Sequence, residues 1–140
     1  MKIMTILAVF FLLMSRFAFS ITPPAEVKKA FDEKFPNATK VKWGQESILV
    51  WEVEFKENGM NIYANFTENG TWIGTETQIE ETDLPQSVVD EINKIYPDWK
   101  IIKAGKTESP GKSIFYEVTI KSGKLKKTVK YTADGSPFRG

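Results

Sequence analysis

The chain has 140 residues, with 19 Lys and Arg, 18 Asp and Glu, no His and no Cys. This length suits a single domain, and a hydrophobic content of 41% is typical of a globular protein. Because His and Cys are absent, the sequence excludes Ser-His-Asp and Cys-His nucleophiles, disulfides and zinc fingers. A net charge of +1 argues against a dedicated nucleic-acid binder, since such proteins carry a basic excess.

The first twenty residues have the pattern of a secretory signal peptide. Lys2 gives a short positive region, and an apolar run follows over 3–14. Ala18 and Ser20 then place small residues at the −3 and −1 positions of a cleavage after Ser20. The apolar run is shorter than the roughly 20 residues that span a bilayer, so we favour cleavage over the alternative of an uncleaved anchor. We therefore predict an exported chain, periplasmic or secreted, that is not membrane-embedded after cleavage.

The remaining residues, 21–140, contain an internal sequence repeat. We predict a single domain made of repeats 22–77 and 84–140. The segments 24–36 and 85–97 match at an offset of 61 residues, and two later pairs of segments match at an offset of 65. The growth in offset falls in a Gly-, Pro- and Ser-rich stretch within 105–114, where an insertion is tolerated. Collinear matches of this kind are typical of internal duplication.

Each repeat is predicted to form one helix followed by four strands. Apolar residues at helical spacing follow Pro24 and Pro85, and each helix ends before the next proline, Pro36 or Pro97. Four strand-like stretches follow each helix. They are recognised by the alternation of apolar and polar residues, or by the Asn-Gly, Asp-Gly and Ser-Gly pairs that mark hairpin turns between them. The predicted strands are 39–43, 48–56, 60–67 and 71–76 in the first repeat, and 100–104, 114–121, 124–132 and 136–139 in the second.

The predicted fold class is α+β, with the two repeats forming an eight-stranded antiparallel sheet and both helices on one face. Short turns join consecutive strands, which requires antiparallel pairing. An antiparallel sheet can leave its second face to water. We therefore expect function on the helix-free face. Alternation places five aromatic residues inward: Trp51, Phe55, Phe66, Tyr116 and Tyr131. Tyr63 has the opposite parity, and Trp72 and Phe115 are further candidates for the helix-free face.

The order of these motifs resembles the PepSY-like family, small exported bacterial proteins also described as beta-lactamase-inhibitor-like. The resemblance covers 24–140. It rests on the Pro-x-x-Val start of each helix, the Phe-Pro or Tyr-Pro helix end, the Glu-Val pair of the second strand and the Asn-Gly or Asp-Gly turn before the last strand. It implies a sheet-and-helix fold, export in a Gram-negative bacterium and a non-enzymatic role in binding or inhibiting a protein, with no catalytic residue, cofactor or metal.

Without His and Cys, an enzyme would need carboxylate or lysine chemistry, and the acidic residues are the first candidates. Glu52 and Glu54 lie two apart on one strand, hence on one face, and paired carboxylates can hydrolyse glycosides. The alternation places both on the solvent side, so we favour a polar sheet face over an active site. A second acidic group near the junction of the repeats is interpreted as a solvated linker, because it lacks the spacing of a calcium loop. Its members are Glu76, Glu80, Glu81 and Asp83.

Charge is distributed unevenly between the repeats. Residues 21–83 carry 6 Lys and 12 acidic residues, whereas residues 84–140 carry 11 Lys and Arg and 6 acidic residues. Such a dipole could steer a charged partner or favour self-association, so a structural module stays an alternative. Lysines on outer strands also discourage edge-to-edge pairing.

We predict that a partner, most simply a protein, docks on the helix-free face. The candidate contacts share one strand parity or were assigned to that face as exposed aromatics. They are Glu52, Glu54, Asn61, Tyr63, Asn65, Trp72, Glu117, Thr119, Lys126 and Lys130.

Overall fold

A computed structural model describes residues 21–139, and the predicted signal peptide lies outside these residues. Residues 21–139 contain two α-helices and seven strands, which follow in chain order. They are α1 (Ala25–Lys34), β1 (Thr39–Ser47), β2 (Val50–Glu57), β3 (Met60–Thr67), β4 (Trp72–Ile79), α2 (Gln86–Ile95), β5 (Lys100–Glu108), β6 (Phe115–Ser122) and β7 (Leu125–Thr132). A 3-10 turn, Glu81–Asp83, precedes α2. The fold class is therefore α+β, as predicted.

All seven strands form one antiparallel sheet in sequence order, β1 to β7. The two halves of the chain join through β4 and β5, whose pairing runs from Thr75 opposite Glu108 to Ile79 opposite Ala104. The hairpin between β2 and β3 has Asn58 and Gly59 at positive φ, the geometry that the Asn-Gly pair predicts.

Both helices pack on the same face of the sheet, as predicted. Val27 and Phe31 of α1 lie in a buried cluster with Val53 and Phe66 of the first half. Val88 and Ile92 of α2 lie in a second cluster, whose strand members are Ala104, Val118, Ile120 and Tyr131. Strand register connects the two clusters across one face, through pairs such as Ala64 with Thr75 and Ala104 with Val118. Each helix therefore covers its own half of the sheet.

The predicted eighth strand does not form, which corrects the expectation of four strands in the second repeat. Within the described residues, the segment after β7 makes one isolated bridge, between Tyr131 and Pro137. The Phe138 N–H still donates to the Lys130 carbonyl at 2.9 Å. The Thr132 N–H also donates to the Ser136 carbonyl at 2.9 Å. Pro137 has no N–H to extend the ladder, so the segment does not continue as a strand.

Corresponding elements of the two halves have equal lengths. Both helices have 10 residues, β1 and β5 have 9, and β2, β3, β6 and β7 have 8 each. The residues that follow the two helices, Phe35 and Tyr96, have nearly the same φ and ψ, −128° and 65° against −127° and 62°. The internal duplication itself stays a prediction, which these equal lengths support.

Candidate functional site

The helix-free face is the sheet surface opposite α1 and α2, and polar side chains dominate it. Register places Glu52 opposite Asn65 and Glu54 opposite Tyr63 between β2 and β3. Tyr63 in turn lies opposite Glu76 of β4. These side chains alternate with the apolar residues that meet the helices, which is the pattern expected for a sheet covered on one side.

The first half of this face contains a cluster of carboxylates around one buried amide. Asn65 is only 2% exposed, and its Nδ2 donates to Glu46 Oε2 at 2.5 Å. The pKa of Glu52 is raised to about 7, mainly by burial and in addition by the charges of the nearby Glu46 and Glu54. Burial also raises the pKa of Glu46, although the hydrogen bond from Asn65 opposes this shift. Glu54 forms an ion pair with the exposed Lys42 at 3.8 Å.

Glu76 lies at the middle of the sheet and is only 5% exposed. Its pKa is raised to about 7. Burial is the largest cause, the charges of Glu117 and Glu52 also raise the pKa, and Lys103 and Lys130 lower it. Tyr63 is half-buried, and burial followed by the charges of neighbouring carboxylates raises the pKa of its hydroxyl. The neighbouring carboxylates are thus partly shielded from water, and their mutual repulsion is stronger than it would be in full contact with water.

The second half of the face contains an ion pair and an aromatic pair. Lys130 contacts the buried Glu117 at 2.9 Å and lies 5.5 Å from the ring centroid of Phe115. Phe115 is 2% exposed because Phe138 stacks on it, with ring centroids 4.1 Å apart. Phe115 therefore lies on the helix-free face, as its parity indicated, but Phe138 covers it.

The remaining predicted residues on this face make cross-strand contacts. Asn61 Nδ2 donates to Gln78 Oε1 at 3.0 Å, and the hydroxyls of Thr119 and Thr128 lie 3.4 Å apart. Lys126 is exposed near the β6–β7 turn, opposite Lys121.

Trp72 does not lie on the helix-free face, which corrects its inclusion among the candidate contacts. It packs against the core cluster of α1, and Lys34 Nζ lies 3.8 Å above its ring. Its Nε1 donates to Thr75 Oγ1 at 2.9 Å. A register shift between Asn65 and Phe66 places Trp72 opposite Phe66, so simple alternation from the neighbouring residues assigns the wrong side.

Three further residues lie on this face, and the sequence pattern did not assign them to it. Glu46 falls beyond the predicted end of β1, and Phe138 belongs to a predicted strand that does not form. Glu76 is the last residue of the predicted strand 71–76 and was grouped with the acidic residues of a solvated linker, whereas β4 continues to Ile79. The alternation of Gly74, Glu76 and Gln78 with Thr75 and Thr77 was the available signal that the strand continues past Glu76.

Within residues 21–139, the side chains of His, Cys, Asp and Glu form no group of three or more that could hold a metal ion. The same residues include no helix of the length and apolarity that crossing a membrane requires.

The fold and this face define a class of protein: an antiparallel meander backed by two helices, with its polar side chains concentrated on the opposite face. The chain belongs to the family described as "Putative beta-lactamase-inhibitor-like, PepSY-like", whose model matches residues 49–136. This is the family that the order of motifs in the sequence resembles, and the match confirms the resemblance.

Solved structures from Bacteroides share the fold. A DUF2874 family protein from Bacteroides ovatus has 23% identity and a TM-score of 0.78, over 85% of this chain and 86% of its own. A BLIP-like protein from Bacteroides fragilis has 24% identity and a TM-score of 0.76, over 85% of each chain. A Bacteroides eggerthii structure, described as "putative periplasmic proteins", has 18% identity and a TM-score of 0.79, over 85% of this chain and 88% of its own. A search of curated proteins gave no match.

Proposed function

We propose that this chain is an exported, non-enzymatic binding protein whose helix-free face contacts a protein partner. Family membership supports a non-catalytic role in protein binding. A structural neighbour described as BLIP-like supports a partner that is itself a protein, and another described as periplasmic supports an exported location. The signal-peptide pattern of residues 1–20 agrees with this location.

The observation that carries the proposal is the burial of charge on a face that no helix covers. Glu76 and Glu117 are each 5% exposed, although polar residues rather than an apolar core surround them. Burying charged groups costs free energy unless partners compensate them. A surface that already holds its carboxylates away from water loses less hydration when a partner covers it, and such preorganisation favours binding.

A carboxylate-based hydrolase is the second candidate, and one observation favours it. Glu52 and Glu76 both have a pKa of about 7, which suits general acid–base catalysis near neutral pH. Because burial and mutual repulsion alone account for both shifts, they do not require a catalytic role. If the protein hydrolyses a substrate, Glu52→Gln and Glu76→Gln should each abolish turnover while leaving partner binding measurable.

Site-specific photo-crosslinking in cells tests the binding face directly. Benzoylphenylalanine would replace Tyr63 or Thr119 on the helix-free face, and Lys29 or Glu33 on the exposed side of α1 as matched controls. We expect a discrete adduct from Tyr63 or Thr119 and none from the α1 positions, because only the helix-free face would contact the partner.

Affinity measurements with the captured partner complete the test. Tyr63→Ala should weaken binding about tenfold or more, since a half-buried aromatic side chain is a typical interface anchor. Lys28→Glu on α1 should leave the affinity unchanged. If only the α1 positions give adducts and Lys28→Glu abolishes binding, the partner contacts the helix side of the sheet and the proposal is wrong.

A further inference from the structure

The acidic cluster around Asn65 has a feature that the proposed function does not explain. Asn65 Oδ1 is buried and has no hydrogen-bond partner among the described residues, while Nδ2 of the same amide donates to Glu46. Glu52 lies directly opposite Asn65 on β2. We call Glu46, Glu52 and Asn65 the Asn65 cluster. Buried acceptors without donors cost free energy, and natural proteins leave few of them.

The Asn65 cluster is also short of positive charge. The causes that raise the pKa of Glu52 are burial and two carboxylates, Glu46 and Glu54, and no lysine opposes them. Glu76 differs, because Lys103 and Lys130 both act against its shift. Lys42 pairs with Glu54 at 3.8 Å, and beyond this ion pair acceptors and negative charge exceed donors and positive charge in the first half of the helix-free face.

An exposed apolar turn adjoins the Asn65 cluster. Ile48 and Leu49 form the turn between β1 and β2 and are 85% and 62% exposed. The Leu49 carbonyl accepts a hydrogen bond from the Glu68 N–H at 3.1 Å, which fixes this turn beside the β3–β4 turn. Two large apolar residues at the tip of a hairpin are unusual, because turns favour Gly, Asn, Asp, Pro and Ser. They offer apolar contact area two and three residues along the chain from Glu46.

Building on the proposed function, we propose that the Asn65 cluster receives an arginine side chain of the partner protein, and that Ile48 and Leu49 contact the apolar residues that flank this arginine. A guanidinium presents five N–H donors in a planar fork, which can serve two carboxylates and an amide oxygen together. Glu46 is exposed and belongs to an edge strand, so its side chain can move aside to admit the guanidinium. A lysine ammonium is a more strongly hydrated point charge and fits this planar set of acceptors less well.

The arginine would also couple binding to pH. The titratable groups that face Glu52 are Glu46 on β1, Glu54 on β2, Tyr63 on β3 and Glu76 on β4. A guanidinium favours the ionised form of Glu52, whose pKa in the free protein is about 7. Below pH 7, binding must therefore release a proton, and affinity should fall as the pH falls from 7 toward 5.

A peptide titration followed by nuclear magnetic resonance tests this inference. The probe is acetyl-Gly-Leu-Arg-Leu-Gly-amide at low salt, and the readout is the shift of the Asn65 side-chain amide in ¹⁵N-labelled protein. The matched probe replaces arginine with citrulline, which keeps the shape and removes the charge. We expect saturable shifts at Asn65 and Glu52, and at least tenfold weaker binding of the citrulline peptide.

Two isosteric variants locate the binding. Glu52→Gln and Glu46→Gln should each weaken the arginine peptide at least fivefold, whereas Glu33→Gln on α1 removes the same charge and should not. Glu46 is exposed, so Glu46→Gln carries the test if Glu52→Gln fails to fold. Equal binding of the citrulline peptide, or an equal loss of affinity in Glu33→Gln, would overturn the inference.

A third probe separates this inference from the proposed function. If a glutamate version of the peptide shifts Lys130 and Thr119 while the arginine version shifts nothing, the helix-free face still binds peptides and only the arginine assignment is wrong. If no probe shifts the Asn65 cluster, the inference is overturned, and the crosslinking experiment alone decides the proposed function.

Discussion

Glu76 and Glu117 are the same residue type and are equally buried, at 5% exposure each, but their surroundings differ. Glu117 has Lys130 at 2.9 Å as a direct counter-ion. For Glu76, burial is the largest influence, and it raises the pKa to about 7 even with Lys103 and Lys130 nearby. A carboxyl group that ionises with difficulty in the folded state links stability to pH.

Glu76→Gln should therefore reduce the pH dependence of stability. Between pH 4.5 and 7 the unfolded chain releases the Glu76 proton while the folded protein keeps it, so the free energy of unfolding falls as pH rises through this window. Glu76 should account for a fall on the order of 1 to 3 kcal/mol. Urea unfolding at pH 4.5, 6 and 7.5 measures it, and Glu33→Gln is the control that should keep the slope of the unmutated protein. An unchanged slope in Glu76→Gln would contradict the assignment.

Single residues also show where sequence patterns reach their limit. Alternation correctly placed Trp51, Phe55 and Phe66 inward and Tyr63 outward, because β2 and β3 pair without a register shift. It failed at Trp72, where a bulge reverses the side. The Glu46–Asn65 contact was not predictable, because it joins side chains 19 residues apart across three strands.

At the scale of elements, two equivalent turns hold the helices onto the sheet. Gly70 and Gly135 both have positive φ, 81° and 83°. A Cβ at Gly70 would lie 2.7 Å from the Glu26 carbonyl oxygen, and a Cβ at Gly135 would lie 2.6 Å from the Ser87 carbonyl oxygen. Each turn therefore packs its backbone against the first turn of a helix, which only glycine permits.

Gly135→Ala should destabilise the protein far more than Gly59→Ala. Gly59 has a φ of 81° but no atom within 4 Å of a built Cβ, so alanine there costs only the left-handed conformation, about 1 to 2 kcal/mol. At Gly135 the clash with Ser87 adds to that cost, for a total of about 3 kcal/mol or more. Thermal or urea unfolding of both variants measures the difference, and equal losses would show that the helix contact contributes nothing.

The elements themselves were largely predictable, because periodicity, prolines and turn residues act locally. Met60–Thr67 matches its predicted strand at both ends. β1 and β5 extend four residues beyond their predicted ends, through Ser47 and Glu108. Pairing with a neighbouring strand extends a strand past its local apolar pattern, and that tertiary effect is not visible in sequence.

At the scale of the whole molecule, two apolar clusters share one sheet. The first contains Trp51, with Trp43 and Trp72 packed against it, while Trp99 packs against the second. Each half also carries its own net charge, negative in 21–83 and positive in 84–140. Strand pairing between β4 and β5 joins the two halves into one sheet.

We expect both halves to unfold together, because loss of either one exposes the β4–β5 ladder and its buried carboxylates. Fluorotryptophan labelling gives separate ¹⁹F signals for Trp51 and Trp99 and so reports on each cluster in one sample. The two signals should lose intensity at the same urea concentration. Midpoints separated by about 1 M or more would contradict a single cooperative unit.

The order of strands in the meander also determines which strand pair is separated by the longest connection in the sequence. Five of the six strand pairs close through connections of two to six residues, whereas β4 and β5 are separated by 20 residues that include α2. Loop closure is entropically costlier for longer connections, so we expect β1 to β4 to assemble before β5 arrives. During that interval β4 is a temporary sheet edge. Its polar run from Thr75 to Gln78, with a carboxyl group at Glu76, discourages a second nascent chain from pairing there.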